Sequence, residues 1–314
     1  MRSPVNPGQE LDHYHIADQI GNDAQVSTFR AIDLRTNQAV AIKVPHPEVE
    51  TDPVFVDRFR REEEIGTTLE HPGLVKFVAD EHRSQSYIVT EWFDGESLRQ
   101  LLHRQKKLSQ EQAIRVALAI CDVLGFIHSH GVVHRDLRPE NVLVDSKYHV
   151  KLINFGTAAK LGARRITFAS LAQVVGVSEY ISPEELNGKR ADARSDLYAL
   201  GVILYEMLTG RTPFYGSNPF ERLVKHPIPP RDVDPAISPQ LQEVIFRALE
   251  REHRKRYVTA HAFSHDLLHL DRVGVKARPQ LGGTKAKWRK VLFYVSIALL
   301  PIAVFALLLF FARG

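Results

Sequence analysis

The stretch of sequence that decides the fold is the segment Val132-Val133-His134-Arg135-Asp136-Leu137-Arg138-Pro139-Glu140-Asn141-Val142-Leu143-Val144, followed after a polar turn by Val150-Lys151-Leu152-Ile153-Asn154-Phe155-Gly156. Two short apolar runs bracket a loop that holds Asp136, and Asn141 lies five positions further along the chain. Loops on a rigid scaffold carry chemistry more often than the strands that hold them in position. The sequence therefore predicts a functional site in this loop.

At this spacing the segment resembles the catalytic loop and the metal-binding triplet of protein kinases, H-R-D-L-x-x-x-N and D-F-G. The first motif is matched at every fixed position, whereas Asn154 stands where the second motif has its Asp. The resemblance implies that Asp136 is the catalytic base and that Asn141 and Asn154 hold Mg²⁺, with Mn²⁺ as an alternative ion. Arg138 stands where serine/threonine kinases carry a Lys that contacts the catalytic Asp.

The composition is that of an ordinary globular protein. Of the 314 residues, 44% are hydrophobic and 25% are charged, and the net charge of +4 is too small to indicate a nucleic-acid-binding protein. The single cysteine, Cys121, excludes an intrachain disulfide and a cysteine-based zinc site, and its place on an apolar helix face predicts a core residue. The first 20 residues contain no apolar signal segment, so we expect the chain to begin in the cytoplasm.

The N-terminal part of the chain predicts a small β-rich lobe. Residues 1–13 read as a loose leader, since they contain two prolines and a glycine. Three short strands are expected after it: one that ends at Ile20, one around Phe29 and one at 40–43.

The turn after the first strand corresponds to the glycine-rich loop of kinases, G-x-G-x-x-G, whose backbone N–H groups close over the ATP phosphates. Only Gly21 is retained, because Asp23 and Val26 occupy the other two glycine positions. Asp23 would place a carboxylate beside the polyphosphate, and Val26 would hold the backbone away from it. Taken alone, the segment is a hairpin turn.

Lys43 ends a strand that matches V-A-I-K of kinases, whose Lys pairs with the ATP phosphates and with a Glu on the next helix. A helix is expected over 55–69, and the resemblance assigns Glu62 as that partner, with Glu63 and Glu64 as its neighbours. In isolation the same residues would indicate a strand that ends in a solvated Lys, and an exposed acidic helix face.

A strand over 87–90 and the segment after it resemble the hinge that joins the two kinase lobes. By this resemblance Thr90 gates the rear of the adenine pocket, and backbone groups near Glu91 and Phe93 pair with adenine. The full set of ATP-binding residues that the resemblance implies is Ile20, Gly21, Thr28, Ala41, Lys43, Thr90, Glu91 and Phe93.

Beyond the hinge the pattern becomes helical. Ser109 and Gln112 form a capping-box pattern that opens an apolar-periodic helix, which runs to about His130 and ends at Gly131. His128 and His130 have no metal-ligand partners at useful spacing, so we interpret them as partners of the helix dipole.

The segment 154–184 resembles an activation segment closed by the kinase motif A-P-E, here Ser182-Pro183-Glu184. Val177 replaces a Thr that normally contacts the catalytic Asp. Arg135 is the residue that such kinases use to hold an activation-loop phosphate. Four hydroxyl side chains are candidate phosphate acceptors: Thr157, Thr167, Ser170 and Ser178.

Two further residues belong to the resemblance. Asp196 opens the apolar run 197–208, which predicts a helix N-cap, and in the family this Asp also receives the backbone of the catalytic loop. Arg256 stands where the family has the Arg that pairs with the Glu of A-P-E, which is Glu184.

The resemblance covers about residues 14–270 and implies an α+β, two-lobed protein kinase fold. The β-rich N-lobe with one main helix is expected over 14–90, and the mainly helical C-lobe over 91–270.

The C-terminal part of the sequence predicts a membrane anchor. A basic linker over 271–290 precedes the uncharged segment 291–311. At about 1.5 Å per residue this segment is long enough for one transmembrane helix across a hydrocarbon core of about 30 Å. A buried core helix is the alternative, but the fold is complete without it. The basic linker places the kinase-like domain on the cytoplasmic side and the last helix in contact with membrane lipid.

The residues leave two functions open. The first is a membrane-anchored serine/threonine protein kinase, working slowly on protein substrates with ATP, and the second is a pseudokinase that serves as a membrane-tethered scaffold or allosteric partner, for example of another kinase. The first is favoured by the retained Asp136, Asn141, Lys43 and Glu62. The second is favoured by Asn154, Asp23, Val26 and Val177.

Overall fold

An antiparallel sheet forms the first lobe of the protein. The computed structural model describes residues 5–80, 82–160, 178–216 and 218–276. In these ranges the strands of the sheet, in chain order, are β1 Glu10–Leu11, β2 Tyr14–Asn22, β3 Val26–Asp33, β4 Gln38–Pro45 and β5 Ile88–Glu91. Each strand pairs with the next one, so that spatial order follows chain order. The predicted leader contributes β1, and β2 extends past Ile20 because Asn22 still pairs with Ser27 of β3.

One helix, α1 Pro53–Thr68, packs against this sheet. The Asp52 side chain accepts a hydrogen bond from the backbone N–H of Val54, and Pro53 fits the first helical position because it has no N–H to satisfy. Phe55 and Phe59 of α1 share a small apolar core with residues of β3 and β5. This packing fixes the face of α1 that points toward the sheet.

Helices form the second lobe. They are α2 Leu98–Gln105, α3 Gln110–Ser129, α4 Pro183–Leu186, α5 Ala193–Thr209, α6 Pro230–Val233, α7 Pro239–Ala248 and α8 Ala260–Leu268. Short 3₁₀ segments lie between them at Pro139–Asn141, Pro219–Leu223 and His253–Lys255, and after them at Leu270–Arg272. Helices α3 and α5 contribute most of their apolar residues to one large core, in which Cys121 is buried as predicted. The capping box of Ser109 and Gln112 at the start of α3 is confirmed.

The start of α5 differs from the prediction. The N-cap is Asp192, whose side chain accepts from the backbone N–H of Arg194, and the helix ends at Gly210 with a left-handed φ of 74°. Asp196 therefore lies inside the first turn and does not cap the helix, so the predicted capping role was wrong. Its carboxylate is buried and points away from solvent.

Five short strands place the loop of interest between the lobes: β6 Glu96–Ser97, β7 Val132–Val133, β8 Val142–Val144, β9 Val150–Leu152 and β10 Ala159–Lys160. β8 pairs with both β6 and β9, and β7 pairs with β10. The chain therefore passes through the same region twice, and a hydrogen bond of 3.1 Å from the Ile153 N–H to the Asn141 carbonyl joins the two passes.

Several predicted features lie outside the described residues: Thr167, Ser170, Val177, most of the basic linker and the whole of 291–311. Within the described ranges, α3 is the one helix that is long and apolar enough, by length and composition, to cross a membrane. Its apolar residues are part of the large core of the second lobe.

Candidate active site

The loop that contains Asp136 is held by the buried carboxylate of Asp196. Its two oxygens accept hydrogen bonds of 2.9 Å from the backbone N–H groups of His134 and Arg135. His128 lies in the last turn of α3, as its interpretation as a helix-dipole partner requires. Its ring also lies 2.8 Å from the same carboxylate, a contact that the sequence did not predict. Burial opposes ionisation of Asp196, but the bond to His128 and the backbone N–H groups outweigh it and lower the pKa of the carboxyl.

Asn141 fixes the position of Asp136. The side-chain amide of Asn141 donates to the Asp136 carbonyl at 2.7 Å and to the carboxylate Oδ2 at 2.9 Å. The second carboxylate oxygen, Oδ1, accepts no hydrogen bond from the part of the chain that is described. The geometry thus leaves one basic oxygen of Asp136 available to a hydroxyl group.

Lys43 and Glu62 form an ion pair across the first lobe, with 2.8 Å between Nζ and Oε2. Glu62 is buried, whereas its neighbour Glu63 pairs with Arg83. The helix register that the sequence left open is therefore settled in favour of Glu62. Its partner Lys43 lies opposite Thr28 in the sheet, and Thr28 lies opposite Gly21.

The predicted nucleotide contacts gather along this edge of the first lobe. Gly21, Thr28 and Lys43 lie side by side on three neighbouring strands, and Ala41 lies opposite Thr90. The remaining predicted contacts are Ile20 in β2, Glu91 at the end of β5 and Phe93 just beyond it.

Glu91 holds the hinge in position through hydrogen bonds and an ion pair. The Glu91 N–H donates to the Lys76 carbonyl at 2.8 Å, and the Glu91 carboxylate accepts from the Lys76 N–H at 2.9 Å and pairs with Lys151. The Arg30 guanidinium lies 5.2 Å from the centre of the Trp92 ring, a cation–π contact between the sheet and the hinge. These contacts hold the connection between the lobes.

Asn154 has a left-handed backbone, with a φ of 70°. Asn and Asp adopt this conformation more readily than other residues with a side chain, so the change from the family's Asp keeps the local path of the chain. The Asn154 Oδ1 lies 3.5 Å from Lys43 Nζ, and its Nδ2 donates to the Asn141 Oδ1 at 3.2 Å. Four side chains thus form one row: Lys43, Asn154, Asn141 and Asp136.

These residues do not fit a divalent cation as they are arranged. Mg²⁺ prefers several oxygen ligands, usually with carboxylates among them. Here the Asn141 oxygen accepts from the Asn154 amide, and the Asn154 oxygen faces Lys43. Within the described ranges, no group of three His, Cys, Asp or Glu side chains is placed to hold a metal ion.

The glycine-rich loop is also altered in its hydrogen bonding. The Asp23 Oδ1 accepts from the backbone N–H groups of Gln25 at 2.7 Å and Val26 at 2.8 Å. The sequence predicted a carboxylate next to the phosphates but not its hydrogen bonds. In the structure this carboxylate accepts from two N–H groups of its own turn.

A charged network next to the catalytic loop was missed by the sequence reasoning. Arg138 bonds to Glu140 at 2.8 Å, Glu140 to Arg99 at 2.9 Å, and Arg99 to Glu206 at 2.6 Å, while Tyr180 bonds to both Arg99 and Glu206. Burial opposes ionisation of Glu140, but hydrogen bonds from the two arginines lower the pKa of its carboxyl to about 2. The sequence feature that could have indicated this network is Glu206, a carboxylate within the apolar run of α5.

The end of the activation segment is anchored by a buried ion pair. The two terminal guanidinium nitrogens of Arg256 each donate to one oxygen of Glu184 at 2.7 Å, and Ser195 donates to the same carboxylate. Burial disfavours the charged form of Glu184, but Arg256 outweighs it and lowers the pKa of the carboxyl to about 2. The Arg256 guanidinium also lies over the Tyr198 ring.

Of the residues predicted to accept or bind a regulatory phosphate, the structure describes Thr157, Ser178 and Arg135. The Thr157 hydroxyl donates to the His134 carbonyl at 3.3 Å, and the Ser178 hydroxyl accepts from the Tyr180 N–H at 3.4 Å. Arg135 has a left-handed φ of 66°, and its Nε has no hydrogen-bond partner among the described residues. Burial and the nearby Arg190 lower the pKa of the Arg135 guanidinium.

Comparisons with known proteins agree with this geometry. The family model described as the protein kinase domain matches residues 14–268. The serine/threonine-protein kinase PknB of Mycolicibacterium smegmatis is 35% identical over 276 residues, which are 85% of this chain and 44% of that protein. A probable serine/threonine-protein kinase of Streptomyces coelicolor is 35% identical over 256 residues, which are 79% of this chain and 38% of that protein.

A solved structure has the same fold. The kinase domain of Mycobacterium tuberculosis PknI superposes with a TM-score of 0.67 at 22% identity, covering 85% of this chain and all of that domain. This chain spans less than half the length of the curated relatives described above. The motifs, the two-lobed fold and the relatives together show that the chain belongs to the protein kinase family, among the bacterial serine/threonine kinases of the Hanks type.

Proposed function

We propose that this protein is a membrane-anchored serine/threonine protein kinase that transfers the γ-phosphate of ATP to protein hydroxyl groups at a reduced rate. The observation that carries the proposal is the row of side chains that joins the Lys43–Glu62 pair to Asp136 and its partner Asn141. The relatives named above support Ser and Thr as the acceptor residues.

The residues of the chain have distinct roles in this proposal. Lys43, oriented by Glu62, contacts the phosphates of ATP. Asp136 accepts the proton of the attacking hydroxyl through Oδ1, since Oδ2 is held by Asn141. Arg138 is turned toward Glu140, so the charge that kinases usually place beside the catalytic Asp is shared with the neighbouring network.

The reduced rate of phosphate transfer follows from the side chains that would have to bind Mg²⁺. In the family, Mg²⁺ neutralises the negative charge that develops on the transferred phosphoryl group. The amides of Asn141 and Asn154 are bonded to each other and do not present a site for this ion. Loss of one electrostatic partner at a transition state costs about 3–4 kcal/mol, or about two to three orders of magnitude in rate.

A second candidate function is that of a catalytically inactive pseudokinase, a membrane-tethered scaffold or an allosteric partner of another kinase. The observation that favours it is Asp23, whose carboxylate occupies the N–H groups of Gln25 and Val26. In active kinases such groups close over the phosphates.

The anchor and the regulation are part of the proposal. The uncharged segment 291–311 would cross the membrane once, and the basic residues before it would keep the kinase domain on the cytoplasmic side. Arg135, with an unpartnered Nε among the described residues, would hold a phosphate on the activation segment. Thr167 and Ser170 are the proposed acceptors within the segment, and Thr157 and Ser178 lie at its two ends.

The test is phosphate transfer from labelled ATP by the full-length chain, to itself and to casein as a general acceptor. We expect slow incorporation that Asp136→Asn abolishes. The matched control is Asp271→Asn, the same change at an exposed position outside the site, which should leave incorporation unchanged. Equal incorporation by the chain and by Asp136→Asn would contradict the kinase and favour the scaffold.

A further inference from the structure

We propose that the nucleotide site of this protein closes without a divalent cation, because the carboxamide of Asn154 takes the bridging place between Lys43 and Asn141. The ligand is an adenine nucleotide, ADP or ATP, bound with nearly the same affinity with and without Mg²⁺. This inference rests on the proposed function, in that the site binds adenine nucleotide, but it does not require phosphate transfer.

The two ends of the row decide how each amide is oriented. The Lys43 ammonium can only donate hydrogen bonds, so the Asn154 atom that faces it at 3.5 Å must be the oxygen. The Nδ2 of Asn154 then points to Asn141, whose facing atom must accept and is Oδ1, at 3.2 Å. The remaining amide group of Asn141 donates to the Asp136 carboxylate, which can only accept.

A carboxylate at position 154 could not complete this row. Its oxygens have no hydrogen to offer, so it would face the Asn141 oxygen with lone pairs on both sides unless a cation lay between them. Asn154 supplies a hydrogen at that place instead. With Asn154 the site, which also contains Glu62 and Asp136, carries one negative charge fewer than it would with Asp at that position. The site therefore repels a nucleotide without a bound cation less strongly.

The surroundings keep the amide in this place. Phe155, the next residue, is buried beside His134, with 5.1 Å between the ring centres. A Cβ built on Gly156 would lie 3.4 Å from Glu62 Oε2, so the segment after Asn154 is packed against the Lys43 partner. The backbone that follows Asn154 is thus packed on both of the next two residues, which keeps the Asn154 side chain in contact with Lys43 and Asn141.

The experiment is calorimetric titration of the full-length protein with ADP, which cannot be turned over, in buffer with Mg²⁺ and in buffer with EDTA. We expect the two dissociation constants of the wild-type protein to agree within about twofold. Asn154→Asp should bind ADP at least about tenfold more tightly with Mg²⁺ than with EDTA, since a carboxylate supplies the charged ligand that the ion prefers.

Two further variants make the result specific. Asn37→Asp is the matched control, because Asn37 also has a left-handed backbone, with a φ of 57°, but lies in an exposed turn of the sheet; it should behave as the wild type. Asn154→Gly keeps that backbone without strain and removes the bridge without adding charge. It should weaken ADP binding in both buffers and gain no dependence on Mg²⁺, which keeps the proposal testable if Asn154→Asp fails to fold.

The outcomes separate this inference from the proposed kinase activity. A wild-type affinity that rises about tenfold with Mg²⁺ overturns the inference and leaves the kinase proposal standing. Equal affinity in both buffers, together with no phosphate transfer, supports the inference and overturns the kinase proposal. Absence of ADP binding in either buffer overturns both.

Discussion

We expect Asp23 to weaken the binding of ATP phosphates at its turn. It adds a negative charge and occupies two backbone N–H groups. Asp23→Asn keeps an acceptor and removes the charge, whereas Asp23→Gly removes both. We expect Asp23→Asn to lower the dissociation constant for ATP about fivefold, which corresponds to about 1 kcal/mol of relieved repulsion, and Asp23→Gly to lower it further. Calorimetric titration measures both; unchanged or weaker binding by Asp23→Gly would contradict the role given to Asp23.

Glu184 makes the stability of the fold depend on pH. Its pKa is lowered from the usual 4.5 to about 2 by Arg256, so its stabilising effect is complete above pH 4.5 and is lost as the pH falls toward 2. At about 1.4 kcal/mol for each pKa unit, about 3 kcal/mol of unfolding free energy is lost over this range. Glu184→Gln should lose less stability between pH 4.5 and 2, as measured by urea denaturation.

The control for this measurement is Glu111→Gln, since Glu111 forms an exposed ion pair with Arg115 on the surface of α3. Such pairs contribute little to stability, so this variant should follow the wild-type pH dependence. Parallel curves for wild type and Glu184→Gln between pH 4.5 and 2 would contradict the assigned pKa.

At the scale of single residues, the sequence predicted which side chains meet but not how they are bonded. The ion pair of Lys43 with the helix residue Glu62 could be expected from motif spacing. The orientation of the Asn154 amide could not, because it is set by Lys43, which is far away in the sequence. The bonds of Asp196 to the backbone of the catalytic loop were expected from the resemblance and are confirmed. Its bond to the His128 ring was not expected, because His128 lies on another helix.

At the scale of elements, Gly66 in α1 tests how that helix is seated. A Cβ at this position would lie 2.1 Å from the Phe77 ring, so Gly66→Ala must displace the ring or the helix that carries Glu62. We expect a loss of about 1–3 kcal/mol in unfolding free energy from overpacking, instead of the gain of about 0.5–1 kcal/mol usual for Gly→Ala inside a helix. ATP affinity should fall as well, because Glu62 moves relative to Lys43.

Gly125→Ala is the matched control for this prediction. Gly125 lies inside α3, and the nearest atom to a Cβ there is the Ala260 Cβ at 3.9 Å. This variant should be stabilised, as judged by thermal and urea unfolding. Equal stabilisation of both variants would show that α1 is not held against Phe77.

Capping residues and apolar periodicity predicted the start of a helix well where the sequence offered one candidate cap. α3 begins at the expected capping box, because Ser109 and Gln112 lie directly before that apolar run. The start of α5 was predicted wrongly because Asp192 and Asp196 are both plausible caps, and only the path of the chain decides between them. The network of Arg99, Glu140 and Glu206 was missed since its members lie on three separate segments.

At the scale of the whole molecule, the order of motifs along the chain was sufficient to predict two lobes with the site between them. Ordered motifs constrain a fold strongly, because each must be met by a matching element at the right distance. The activity is less constrained by the fold, since Asn154 and Asp23 alter the site while the packing around it is retained. The matched region spans less than half the length of these relatives.

In this proposal the neutral amide at position 154 is the main limit on phosphate transfer by the site. The most direct measurement is the initial rate of phosphate transfer to casein by the full-length protein carrying Asn154→Asp, in the presence of Mg²⁺, beside the wild type and Asn37→Asp. We expect Asn154→Asp to be faster by about 100-fold or more, with Asn37→Asp equal to the wild type. A folded Asn154→Asp protein that binds ADP but transfers phosphate no faster than the wild type would contradict this claim.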